Sequence, residues 1–212
     1  MNERWNTLEL IINEYPSLNI FYTVIKNINN KKRECGFIRE IEEEVRKLWN
    51  REKLLSNEII RAYRDFFWEI GIDPTKERPS SEALIRRLLR GKSLPRINPA
   101  VDAMNAASVK TLITFGLFDF DRLKFPLELK PAEGKEDLVI IGGKRITVPK
   151  NFPIIRDGSG KVISATIYRD GEYAKVTEET KNLFLVSYGP PGIDLPYLRK
   201  AVKVAEQFIK KC

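Results

Sequence analysis

Histidine is absent from the 212 residues of this chain. That removes the commonest general base at neutral pH, the Ser–His triad and every zinc site built on imidazole. Cysteine is nearly absent. Cys35 and Cys212 are too few for a thiolate zinc site or for the disulfide framework of a small secreted protein, and Cys212 is expected to be a free thiol. Ile209, not cysteine, stands four from the end, so no prenylation box is expected. Long apolar runs are also missing: "LELII" and "NLFLV" are core-sized, far short of the roughly 20 residues of a membrane span. The start, "MNERWNTLELIINE", is charged and lacks a signal-peptide layout, so a cytoplasmic protein is expected. Catalysis, if present, must use carboxylates, Lys, Tyr, Ser/Thr, backbone donors, an oxygen-held metal or the substrate itself. No metal and no cofactor is expected.

What remains is an ordinary globular balance, 42% hydrophobic and 31% charged, at a length that suits one domain. The net charge of +8 is unevenly spread. Lys76, Arg78, Arg86, Arg87, Arg90, Lys92 and Arg96 face only Glu77 and Glu82, a local charge of +5. From Arg199 to Lys211 five cations face Glu206, a local +4. Such stripes attract polyanions such as RNA, and they also serve simply as solubilising surface.

The pattern is helical first and strand-rich after residue 110. Residues 5–15 have helical apolar spacing and stop at Pro16; 18–28 read as a strand. Residues 37–55 read as one long helix with Ile38, Ile41, Val45 and Leu48 on a face. Residues 57–72 read as another, capped by Asn57 and closed by Gly71. After the linker "DPTKERP", residues 80–92 form a serine-capped helix that buries Leu84, Ile85, Leu88 and Leu89. Arg86, Arg87 and Arg90 are left on its other side. A short helix over 99–108 starts at Pro99. Strand pairs over 138–148 and 153–171 turn at Gly142-Gly143 and at Asp157–Gly160, a strand is expected over 182–189, and an amphipathic helix over 194–211. "GSGK" lies between two strands and reads as a turn, not as a phosphate loop. The predicted class is α+β: a mixed, largely antiparallel, barrel-like sheet core flanked by helices, with a helix-rich N-terminal part. The predicted organisation is a single domain: residues 1–78 as that helix-rich part, 79–190 as the core, 191–212 as the C-terminal helix.

"KSLPRINPAVDAMNAAS", residues 92–108, places Arg96, Asn98, Asp102 and Asn105 in a background of small apolar residues. Asp102 and Asn105 share a helix face. These side chains either tie down a turn, as short polar residues commonly do, or line a pocket. Asp119 and Asp121 in "FDFD" would point one way and the phenylalanines the other, a polar strand end that requires no metal. Thr177 and Thr180 read as turn residues, with no base to activate them. Trp5, Trp49, Trp68 and Phe66-Phe67 fall in helical segments and read as core.

The ordered series "INPAVDAMNAASVKTLITFGLFDFDRL" (97–123), Glu133-Gly134, "RDG" and "VTEETKNLFLV" (176–186) resembles the B3/B4 domain of the phenylalanyl-tRNA synthetase β subunit. It is closer still to stand-alone B3/B4 proteins, whose pattern includes "GIDPTKERPSSEALIRRLLRG" (71–91); the resemblance covers roughly residues 57–190 and more weakly 15–20. The resemblance implies a sheet closed towards a barrel and, in the synthetase, a site that hydrolyses phenylalanine tRNA mischarged with tyrosine. Residue by residue, Asn98, Asp102 and Asn105 match. Gly116 falls where the editing histidine belongs, Val186 at the glutamate, Met104 at a threonine, and Ile167 and Asp170 at glycines of the ligand loop. The frame is kept and most of the editing chemistry is missing. The expected pocket draws on Asn98, Asp102, Asn105, Gly116, Asp119 and Arg169, and the expected RNA surface on Arg86, Arg87, Arg90, Lys92 and Arg96. The expected partner is tRNA or aminoacyl-tRNA. Trans-editing would be ester hydrolysis by a positioned water and the ribose hydroxyl, without the usual histidine and glutamate. The alternative is a non-catalytic pocket for a small amino-acid-like metabolite.

Overall fold

A computed structural model describes residues 11–31 and 34–212. They divide into two compact units. The larger comprises Ser17–Asp121 and Val176–Cys212; the smaller comprises the chain up to Pro16 and Arg122–Lys175. In chain order the elements are β1 (Ile11–Asn13), β2 (Asn19–Ile25), α1 (Phe37–Leu48), α2 (Arg51–Ser56), α3 (Glu58–Glu69), α4 (Ser80–Leu89) and α5 (Pro99–Thr111). There follow β3 (Thr114–Asp119), β4 (Leu127–Pro131), β5 (Asp137–Val139), β6 (Arg145–Thr147), β7 (Pro153–Arg156), β8 (Val162–Ala165), β9 (Arg169–Asp170), β10 (Leu183–Gly189) and α6 (Leu195–Lys211). The class is α+β, with mixed, largely antiparallel sheets that stay open, and no helix among the described residues is long and apolar enough to cross a membrane.

In the larger unit β10 is the central strand of an antiparallel sheet, order β2-β10-β3. Every residue of β10 and of β3 is buried, which is why both read as near-continuous apolar runs. Helix α6 packs on β2 and β10, and α5 packs on β3 and against α1, α4 and α6. Ala100, Ala103, Ala106 and Ala107 are all at most 2% exposed, and these small side chains let α5 sit close to its neighbours on several sides. The ring of Tyr63 in α3 ties this core together. Its hydroxyl donates to the Tyr188 carbonyl and accepts from the Thr114 N–H at 3.0 Å. Burial pushes the hydroxyl well above its ordinary range, so it stays protonated.

The expected helix over 37–55 is two helices. Trp49 is extended, and the Asn50 side chain accepts from the Lys53 N–H at 2.8 Å, starting α2 afresh. With the helix ended there, Leu48 is not on a buried face but 49% exposed. Asn57 does cap α3, accepting from the N–H groups of Ile59 and Ile60. At α4 the expected serine cap is replaced. Pro79 holds the N-cap position without a side-chain bond, and the Ser80 hydroxyl donates instead to Thr114 at 3.3 Å. Of the four apolar residues assigned to its core side, Ile85 and Leu88 are buried, while Leu84 and Leu89 are half-buried. Trp68 is a further correction: it is 56% exposed, not core.

Cys212 is not a free thiol. It forms a disulfide with Cys35, the α-carbons 5.1 Å apart, because α6 ends where α1 begins. The rings of Phe37 and Phe208 pack beside it, their centroids 5.0 Å apart.

The smaller unit holds a five-stranded sheet, order β1-β4-β7-β8-β9, in which β1 runs parallel to β4 and the other pairs are antiparallel. The helix expected over 5–15 lies partly outside the described residues, and its described end is strand β1. Ile11 is buried there and Ile12 exposed, as pairing with Leu127–Leu129 requires. The β5–β6 hairpin turns at Gly142 and Gly143, with φ of +99° and +85°, a conformation that suits only glycine well. The β7–β8 hairpin turns at Asp157–Gly160, where the Asp157 carboxylate accepts from Ser159 and from the Lys161 N–H. This is the "GSGK" segment, and it is a turn.

Candidate functional site

The start of α5 consumes most of the polar residues in 92–108. Asn98 is its N-cap: the side-chain oxygen accepts from the Val101 N–H at 3.1 Å, and the side-chain nitrogen donates to the Val176 carbonyl at 3.3 Å. Asn30, 2% exposed, accepts from the Ala100 N–H at 2.9 Å and donates to the Thr177 carbonyl at 2.6 Å. The Asp102 N–H bonds the Asn98 carbonyl, and its carboxylate accepts from the Ile97 N–H at 2.7 Å. Burial pushes the Asp102 carboxyl above the ordinary range, opposed by the Ile97 bond and by Arg96. Pro99 has no N–H, so every donor in the first turn is spoken for, and this helix end offers nothing to an anion. Asn30 was missed in the sequence, although the asparagine-rich "NINN" at 27–30 is a turn signal. One turn further on, Asn105 differs. It is 9% exposed, and among the described residues its amide has no hydrogen-bond partner.

Gly116 and Val186, which the resemblance places where the synthetase domain has its editing histidine and glutamate, are directly opposed across β3 and β10. The space beside Gly116 is full. A β-carbon there would collide with the Tyr188 hydroxyl and lie 2.9 Å from Phe118 and 3.1 Å from Val186. Val186, Phe118 and Tyr188 are all at most 1% exposed. Where acid–base groups would stand, side chains are packed as core. Asp119, at the end of β3, accepts from the Thr180 hydroxyl at 2.6 Å and from the Asp121 N–H at 3.1 Å. The alternation expected for "FDFD" ends there, because Phe120–Arg122 is a turn of 3₁₀-helix that turns Asp121 outward, onto Asn182.

The basic stripe is only partly free. Glu82, 0% exposed, gathers Arg86 at 2.7 Å, Arg64 at 3.1 Å and Arg78 at 4.0 Å. Glu42, 3% exposed, accepts from Arg96 at 3.0 Å and from the Leu94 N–H at 2.8 Å. The Arg87 side chain bonds the Ser93 carbonyl at 2.5 Å. The expectation that the arginines of α4 are solvated opposite the core therefore needs correction: a buried carboxylate on the same helix recruits Arg86. Arg90 and Lys92 are exposed, and their side chains have no partner among the described residues.

Arg169 belongs to the smaller unit. Its guanidinium lies over the Tyr168 ring, 4.5 Å from the centroid, and bonds the Tyr168 carbonyl at 3.2 Å. Beside it, Ile167 has φ of +59°, a left-handed backbone conformation that glycine adopts readily and a β-branched residue rarely does. Asp170 accepts from the Ser164 hydroxyl at 2.8 Å, and burial raises its carboxyl to about 6. The expected site residues thus fall into local groups: Asn98 and Asp102 with Asn30, Gly116 with Val186, Asp119 with Thr180, and Arg169 in the other unit.

Comparison with known proteins gives this arrangement a lineage. A family model described as the B3/4 domain matches residues 62–206. The phenylalanine–tRNA ligase beta subunit of Idiomarina loihiensis is 27% identical over 125 residues, 58% of this chain and 15% of that one. That of Tropheryma whipplei is 27% identical over 137 residues, 64% and 14%. Among solved structures, an N-terminal fragment of the phenylalanyl-tRNA synthetase beta subunit from Pyrococcus horikoshii matches with a TM-score of 0.46 and 21% identity, covering 52% of this chain and 40% of that one. The chain spans about 15% of the length of the first of these curated relatives. Because the family match takes in well over half of its residues, the chain belongs to the B3/4 domain family.

Proposed function

We propose that this B3/4 protein binds tRNA or aminoacyl-tRNA and does not hydrolyse the ester by the acid–base route of the synthetase editing site. The observation that carries the binding is the exposed pair Arg90 and Lys92 just past α4, without side-chain partners among the described residues, on a chain of net charge +8. Free cations at a protein surface bind phosphate and release counterions. Kinship with tRNA ligase subunits supports tRNA as the polyanion. Against hydrolysis of the synthetase kind stand Gly116 and Val186 themselves, which have no side-chain group to move a proton, in surroundings packed as core around the sealed Tyr188 hydroxyl. Any turnover would rest on a water and the ribose hydroxyl, held by polar groups of the chain.

The test is binding of labelled total tRNA at two salt concentrations. Affinity is expected to fall steeply between about 50 and 200 mM salt. The double variant Arg90→Gln, Lys92→Gln weakens it at an unchanged melting temperature. Absence of saturable binding, or binding indifferent to salt and to the double variant, overturns the proposal.

A second reading has its own observation. Asn105 is nearly buried and has no side-chain hydrogen bond among the described residues, and an amide offers two donors and an acceptor to an amino-acid-like ligand. Calorimetry with free amino acids, compared with Asn105→Ala, decides between the two.

A further inference from the structure

Trp68 breaks the pattern of the large side chains of α3. Tyr63, Phe66 and Phe67 are sealed at 0–1% exposure, whereas the indole of Trp68, in the last turn, is 56% exposed. Single exposed apolar side chains are common, and Ile97 and Ile141 are exposed about as far as Trp68; what sets Trp68 apart is a wide aromatic plane with arginines beside it. Its neighbours on the helix face at steps of three and four are Asp65 and Arg64, and Arg61 stands one turn further back on the same face. Arg61 is exposed and has no side-chain partner among the described residues. Arg64 joins Arg78 and Arg86 around Glu82. One buried carboxylate cannot neutralise three guanidinium groups, so the cluster keeps an excess of two positive charges. Arg64 is 21% exposed, Arg86 20% and Arg78 37%, so these forks reach solvent. The acids of α3, Glu58, Asp65 and Glu69, follow round the helix to one flank of Trp68, and Arg64 stands on the other.

We propose that this face is a platform for single-stranded RNA. A base stacks on the Trp68 indole, and the flanking phosphates take Arg61 and the outward N–H groups of Arg64, Arg78 and Arg86. The aromatic plane and the guanidinium forks supply the two contacts that single strands require, a stacking surface and a track for the backbone. The acidic flank sets the direction, because phosphates are attracted along the arginine side and repelled from Asp65 and Glu69. The platform rests on the tRNA-binding reading and names its surface as unpaired nucleotides rather than duplex.

The test uses a labelled oligouridine of about a dozen nucleotides, within the site sizes of such grooves, and in parallel total tRNA. Trp68→Ala is expected to lower oligouridine affinity roughly 5- to 100-fold at unchanged melting temperature, while Trp68→Phe retains most of it. Arg61→Gln is expected to reduce the slope of log affinity against log salt by about 0.7. Oligouridine affinity within twofold of the unmodified protein in Trp68→Ala overturns the platform. So does a failure of the unmodified protein to bind oligouridine. If Trp68→Ala instead turns a dimer into a monomer with RNA affinity intact, the indole is a self-association contact and the platform is again overturned. Binding of tRNA without oligouridine sinks the platform and leaves the tRNA reading standing; oligouridine bound through Trp68 without any tRNA binding does the reverse.

Discussion

A single buried carboxylate separates two kinds of arginine in this molecule. Arg86 and Arg90 are four residues apart at the end of α4, and the sequence ranks them alike. Glu82 distinguishes them, because its side chain is fully buried and must keep its cations. Arg86→Ala is expected to cost on the order of 1–2 kcal/mol in urea unfolding. That is less than the loss of a sole partner, since Arg64 and Arg78 remain. Arg90→Ala is expected to stay within about 0.5 kcal/mol. Gly116 is legible from one side only. The resemblance marks it as a missing histidine, but the residues that fill the space, Tyr188 and Phe118, carry no local signal of their proximity. Gly116→Ala is expected to destabilise by about 1–3 kcal/mol, as overpacking of a sealed core does. For the same reason, the protein should not clear tyrosine from phenylalanine tRNA at the rate of a synthetase editing domain. A deacylation time course checks this, and clearance typical of an editing domain would contradict the roles given to Gly116 and Val186.

Secondary-structure elements were readable where turn chemistry is local and misread where a distant partner decides. Gly142-Gly143 and Asp157–Gly160 announced both hairpins, and Asn57 announced the start of α3. Residues 11–13 became a strand because Leu127–Leu129 offers an edge more than a hundred residues away, which no helical period can reveal. At α5 the sequence posed capping against ligand binding for three residues, and bonds to Val101 and Val176 answer for Asn98 while the Ile97 N–H answers for Asp102. Asn98→Ala removes both a cap and a buried donor, and is expected to cost about 1–2 kcal/mol. Asn105→Ala has no bond to lose and should leave the melting curve nearly unchanged. In β9, burial raises the Asp170 carboxyl to about 6, above its ordinary value. The folded state therefore holds a proton that the unfolded chain has given up, and stability falls as pH rises from about 4 to about 6. Asp170→Asn should flatten that part of the stability–pH profile; a profile of unchanged slope would show that the carboxyl is not so perturbed.

At the scale of the molecule, the order of helical and strand patterns correctly set the class, and the charge pattern located the basic stripe without showing how much of it is neutralised. The disulfide was out of reach, since two cysteines 177 residues apart say nothing about whether the fold joins them. Closing so long a stretch restricts the unfolded chain, so Cys35→Ser or full reduction is expected to lower stability by roughly 2–5 kcal/mol, read as a drop in melting temperature. There is a topological corollary. From Cys35 to Cys212 the polypeptide is a covalent ring, and the segment 122–175 of the smaller unit lies wholly within it. A protease that nicks one bond of that segment opens the ring without releasing a fragment. The nicked chain keeps its full mass on a non-reducing gel and separates into two pieces only once the sulfur–sulfur bond is reduced.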